Sequence, residues 1–219
     1  MARMSAEERR AALVEAAIRV MTRDGVARAT TRAIASEAEM PLGIFHYAFR
    51  SKHELLVRVI QEIAKQSKGD IDAAVLDKPD VQLEEVATAG LMAYFDHVVA
   101  HPKEHLLTYE LTQFALREAG FEGVAKEQYT YYLQENEALL AAFAEVMQID
   151  YVVPLSVVSR FAFSVMDGLA LNYLSIGDED EAREVVRLAV RSLSHFVRPR
   201  ETAAVGVGPT VVPQADGAE

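Results

Sequence analysis

The sequence predicts an all-α protein in two parts: an N-terminal three-helix helix-turn-helix domain and a larger C-terminal helical domain, about nine helices in all. Three observations lead there. Apolar residues recur at helical spacing through nearly every segment, and no stretch alternates as a strand does. Capping residues and Gly/Pro punctuation fall where that spacing starts and stops. Charge divides unevenly: residues 1–58 hold ten Lys/Arg against seven Asp/Glu, while 59–219 hold twelve against twenty-six, within a net charge of −11.

The first helix follows Ser5-Ala6-Glu7-Glu8, a capping box in which Ser5 and Glu8 satisfy each other's backbone N–H groups. Its buried stripe is Leu13, Ala16, Ala17, Val20 and Met21, and it stops near Asp24-Gly25. Thr30 or Thr31 caps a short second helix containing Ile34, Ala35 and Ala38. The turn Glu39-Met40-Pro41 leads to a third, Leu42 to Ala48, and Ser51 caps a fourth that runs to about Ala74. Five longer helices are expected at 82–100, 103–118, 121–148, 155–176 and 180–197, punctuated by Pro102, Gly120, Pro154 and Gly177. From about 199 to 219 the composition turns to Gly, Pro, Ala and Val without periodicity, which predicts a disordered tail. The domains then read as 1–52, 53–198 and that tail.

Composition excludes several classes. The chain has no cysteine, so it has no disulfide framework, thiolate metal site or cysteine nucleophile. The charged stretch Met1 to Arg10 lacks a signal peptide's apolar core, and no apolar run approaches the roughly 18 residues of a membrane span. A cytoplasmic protein without membrane contact is expected. No G-x-S-x-G, Walker loop, G-x-G-x-x-G or H-E-x-x-H is present, which argues against an enzyme and calls for no cofactor. His97, His101 and His105 recur every four residues. Pro102 breaks their helix and no ligand stands in register beside them, so no metal site is assigned.

The informative stretch is Thr30 to Leu56, TTRAIASEAEMPLGIFHYAFRSKHELL. Two short helices joined by a tight turn on a longer preceding helix form a helix-turn-helix, whose second member fits a major groove. Ile34, Ala35, Ile44, Phe45 and Phe49 fall at core spacings. Thr31, Arg32, Leu42, Gly43, His46, Tyr47 and Lys52 fall on the other side. T-T-R-x-I-A, G-I-F-H-Y-x-F and S-K-x-x-L-L together resemble the N-terminal domain of the tetracycline-repressor (TetR) family over about residues 8–57. Met166-Asp167-Gly168-Leu169 resembles a segment of that family's eighth helix.

The resemblance implies a repressor released from a palindromic operator in double-stranded DNA by a small-molecule effector. Thr31 and Arg32 would then touch phosphate or base edges, Leu42, Gly43, His46 and Tyr47 would line the groove, and Lys52 would bind a phosphate. The chain departs from the family pattern at Glu39, where a glycine is usual, and at His46 and Ala48, which bears on the sequence read. The resemblance also implies a homodimer through the last two helices. That fits the broad apolar face of 180–197 (Val185, Val186, Leu188, Ala189, Leu193, Phe196) and the nearly all-round apolar character of 155–176. Tyr94, His97, Tyr109, Gln113, Tyr132, Arg160 and Asp167, polar groups within apolar helices, are the candidate effector contacts. A helical enzyme, or a DNA-binding helical protein with no effector, are the competing readings; an enclosed cavity would separate the second from a ligand-responsive repressor.

Overall fold

A computed structural model describes residues 4–76 and 82–200. Nine helices stand among them: α1 (Ala6–Asp24), α2 (Thr31–Glu37), α3 (Leu42–Ala48), α4 (Lys52–Leu76), α5 (Leu83–Ala100), α6 (Pro102–Arg117), α7 (Glu122–Met147), α8 (Leu155–Ile176) and α9 (Glu179–Ser194). The fold is all-α with an N-terminal helix-turn-helix, as the sequence predicts. No helix among the described residues is long and apolar enough to cross a membrane.

The local signals act as expected. Ser5 Oγ accepts from Glu8 N at 3.1 Å and Glu8 Oε2 accepts from Ser5 N at 2.6 Å, closing the capping box of α1. Thr30, rather than Thr31, caps α2 by accepting from Ala33 N, and Ser51 caps α4 by accepting from Glu54 N. Gly25 takes φ +86 at the end of α1, a conformation open to glycine at little cost. The turn after α2 is a Schellman closure, with Glu39 N donating to Ser36 O and Met40 N to Ala35 O. It places Glu39 at φ 53, so a side chain occupies the left-handed position.

Leu13, Ala17, Val20, Ile34, Phe45, Phe49, Leu55 and Leu56 are fully or almost fully buried and hold the head together. This core does not close at residue 52. It continues through Val59 and Ile63 of α4 into Leu107, Leu111 and Ala115 of α6, so head and body share one apolar cluster. Polar contacts reinforce the seam: Glu110 on α6 accepts from Val26 N at 2.7 Å, and His53 Nε2 lies 3.1 Å from Glu127 Oε1 on α7.

Two departures from the sequence reading lie near the C-terminus. The last helix ends at Ser194, and Val197–Pro199 forms β2, antiparallel to β1 (Ile149–Tyr151). Arg200, expected in the disordered tail, is anchored instead. Its guanidinium spans Glu145, at 2.9 Å, and Asp150, at 3.2 Å. Three-residue strands are too short for alternation to register. Residues 201–219, the rest of the expected tail, lie outside the described residues.

Candidate functional site

The head presents one open face. Tyr47 is 79% exposed, His46, Gly43 and Arg32 are exposed, and nothing approaches within 4 Å of where a Cβ on Gly43 would sit. Thr31 is half-buried at the start of α2, and Leu42 is partly buried against the head core. Helical spacing explains the division, since Phe45 and Phe49 turn inward while His46 and Tyr47 turn out. Arg10 fixes the recognition helix from behind: it donates to Ala48 O at 3.0 Å, pairs with Glu54 and lies 4.7 Å above the Phe49 ring.

Many head cations are already engaged. Arg19 and Arg23 both pair with Glu37, and Arg58 pairs with Glu7. Lys52, the expected phosphate contact, stands half-buried at the start of α4. Its Nζ turns inward, 3.4 Å from Val26 O and 5.0 Å from the centroid of Phe114 on α6, and burial lowers its pKa. Sequence gives its charge but not the arrival of α6 beneath it. The cation left exposed at this edge is Arg50, between α3 and α4, whose guanidinium makes no ion pair among the described residues. Its place two residues before the α4 start was the signal that could have found it.

The body holds a half-open cavity of about 240 Å³ lined by residues from α4 to α9. Ile63, Ser67, Lys68 and Ile71 of α4 line one side, so the helix that begins beside the recognition helix also walls the cavity. Of the candidate effector contacts, Tyr94, Tyr109, Tyr132 and Asp167 converge there. The other three do not. Gln113 and Arg160 are exposed on the outer faces of α6 and α8, and His97 faces α4, its Nδ1 2.9 Å from Asp70 Oδ2. Sequence marked these as polar groups in apolar helices without resolving which face each takes.

His105, Thr108, Asn136 and Phe163 also line the cavity and are not among the effector contacts the sequence suggests. Despite the break at Pro102, the rings of His101 and His105 both approach His97, with centroids 4.5 and 5.4 Å away. No group of three His, Cys, Asp or Glu able to hold a metal occurs among the described residues.

The chemistry of the cavity is acidic and aromatic. Tyr129 donates to Asp167 Oδ2 at 3.3 Å, and Tyr109 donates to the Asp167 carbonyl at 2.8 Å. Burial raises the Asp167 pKa, against the lowering effect of the Tyr109 and Tyr129 hydroxyls. Burial, with the negative charge of Asp167, keeps the Tyr94 and Tyr109 hydroxyls protonated well beyond the usual range. His105 is pushed down to about 4 by burial and then by His97 and His101, so it is neutral at pH 7, and its Nε2 has no partner among the described residues.

Comparison with known proteins gives the same picture. The family model for bacterial regulatory proteins of the tetR family matches residues 13–59. The HTH-type nicotine-responsive transcriptional repressor HdnoR of Paenarthrobacter nicotinovorans is 31% identical over 173 residues, covering 79% of this chain and 87% of its own. Among solved structures, the multidrug binding protein EbrR complexed with ethidium is 26% identical with a TM-score of 0.63, covering 83% of this chain and 98% of its own. A TetR-family transcriptional regulator from Rhodococcus sp. shares the fold at 16% identity, with a TM-score of 0.70 and coverage of 85% of this chain and 98% of its own. The chain belongs to the TetR family of bacterial regulatory proteins: it is a DNA-binding transcriptional repressor, not an enzyme.

Proposed function

We propose that the protein works as a homodimer on a palindromic operator and leaves it when a small organic molecule occupies the body cavity. In this reading residues 1–52 read DNA, and 53–198 sense the effector and dimerise. Gly43, His46 and Tyr47 reach base edges with Leu42 beside them, while Thr31, Arg32 and Arg50 hold phosphates. The observation that carries the reading is the shared helix: α4 lines the cavity through Ile63, Ser67, Lys68 and Ile71 and starts directly after α3. A guest that reorients α4 moves the recognition helix with it. Paired recognition helices must stand about 34–36 Å apart to enter successive major grooves, so a small tilt suffices. The guest shifts the equilibrium only as far as its preference for one arrangement allows.

HdnoR is nicotine-responsive and EbrR binds ethidium, which supports a small organic effector for this chain. A largely apolar cavity with a few polar groups also supports a sensing role over a purely architectural DNA-binding one. Dimerisation through α8 and α9 draws support from the apolar side chains they leave in water: Val157, Phe161 and Leu171 on one, Val185 and Leu188 on the other. The test is a binding titration with duplex DNA flanking the protein's own gene, repeated with candidate effectors. Operator binding that every candidate leaves unchanged, together with a cavity that takes up none of them, overturns the effector role.

A further inference from the structure

We propose that the cavity's guest is a protonated amine carried on a ring, with its ammonium N–H donating to the Asp167 carboxylate. The proposal rests on the reading of this cavity as the effector site and adds the chemical class that fits it.

Asp167 lies half-buried among Tyr94, Tyr109, Tyr129 and Tyr132 in a largely apolar, half-open cavity, where Tyr129 donates to its carboxylate and Tyr109 to its backbone carbonyl. No lysine or arginine among the described residues reaches it within 4.0 Å. Among the described residues the one lysine or arginine in the cavity lining is Lys68, committed to Asp72 at 2.8 Å and Glu135 at 3.8 Å. The lining therefore sets Glu84, Glu135 and Asp167 against a single lysine. A carboxylate half withdrawn from water without a cation carries a desolvation cost, and a guest that brings a cation and covers the site offsets it. An anionic guest would raise the same cost, and an uncharged one would leave it in place.

The walls favour the same class. Tyr94, Tyr132 and Phe163 line the cavity and present rings, which attract a cation over their faces. Phenol hydroxyls fill only part of the Asp167 carboxylate's accepting capacity, and an N–H donor completes it. A ring gives the guest apolar surface to bury against Ile63, Leu91 and Met166.

The test uses the full-length protein and two probes of one shape: 4-phenylpiperidine, a cation at neutral pH, and 4-phenyltetrahydropyran, where an ether oxygen replaces the ammonium. Binding is followed by calorimetry. The cation is expected to bind wild type at least tenfold tighter than the ether, and Asp167→Asn to remove most of that preference while shifting the ether less than threefold. Equal affinity for the two probes, or failure of the cation to bind, overturns the proposal in the wild type alone, so it does not depend on the variant folding. Asp167→Glu, which keeps the charge, is expected to keep the preference for the cation. Preferential binding of the cation without release of operator DNA upholds the class of guest and overturns the effector reading instead.

Discussion

Tyr47 and Glu39 show how differently single residues contribute. Tyr47 is 79% exposed and packs little, so its role lies in what it meets outside the chain. Tyr47→Ala is expected to weaken operator binding by about 1–3 kcal/mol if the ring reaches a base, with the melting temperature unchanged. Glu39 holds a left-handed conformation that favours glycine. Glu39→Gly is expected to stabilise the fold by roughly 0.5–1 kcal/mol, read as a melting temperature higher by a few degrees. Arg50→Ala and Arg32→Ala should each flatten the salt dependence of DNA binding by about one unit of slope. Lys52→Ala, by contrast, should leave that slope alone and loosen the contact between head and α6. Residue identity and helical phase made the outward positions of His46 and Tyr47 legible. They could not show the direction of Lys52, because Phe114 and Val26, which fix it, belong to other elements.

At the scale of elements, α6 joins the two ends of the mechanism. Tyr109 and His105 line the cavity from one face, while Glu110 holds Val26 N from another. Glu110→Ala leaves that amide without its partner and should cost about 1 kcal/mol of stability. The same variant is expected to blunt effector release, seen as a smaller change in operator affinity on effector addition. His105 supplies a pH dependence with a definite sign. Its folded pKa is lowered to about 4 from an ordinary value of 6.5, so between those values the unfolded chain binds more protons than the folded one. Stability should fall as pH drops from about 6.5 towards 4 and stay flat above, and His105→Gln should reduce that slope in melts across the range. The helices were legible because caps and periodicity agreed along the chain. The β1–β2 pair was not, since three-residue strands show no alternation and the contacts of Arg200 with Glu145 and Asp150 have no local signature.

At the scale of the molecule, the proposed dimer makes one chain half of the working unit. Val185, Leu188, Phe161 and Leu171 stay exposed although the same helices bury Val186, Val190, Met166 and Leu169. Sequence showed apolar character nearly all round α8 but could not say which side meets its own domain. Leu188→Glu is expected to give monomers by light scattering and to reduce operator affinity, since a single head loses its partner's contacts. The stoichiometry of DNA binding reports most directly on paired recognition helices. A fluorescently labelled palindromic duplex from the region flanking the gene, titrated with full-length protein at low ionic strength, should bind protomers in pairs, release them when an effector occupies the cavity, and lose affinity with Tyr47→Ala. Binding of single protomers, or no binding to any such duplex, would contradict such pairing on DNA.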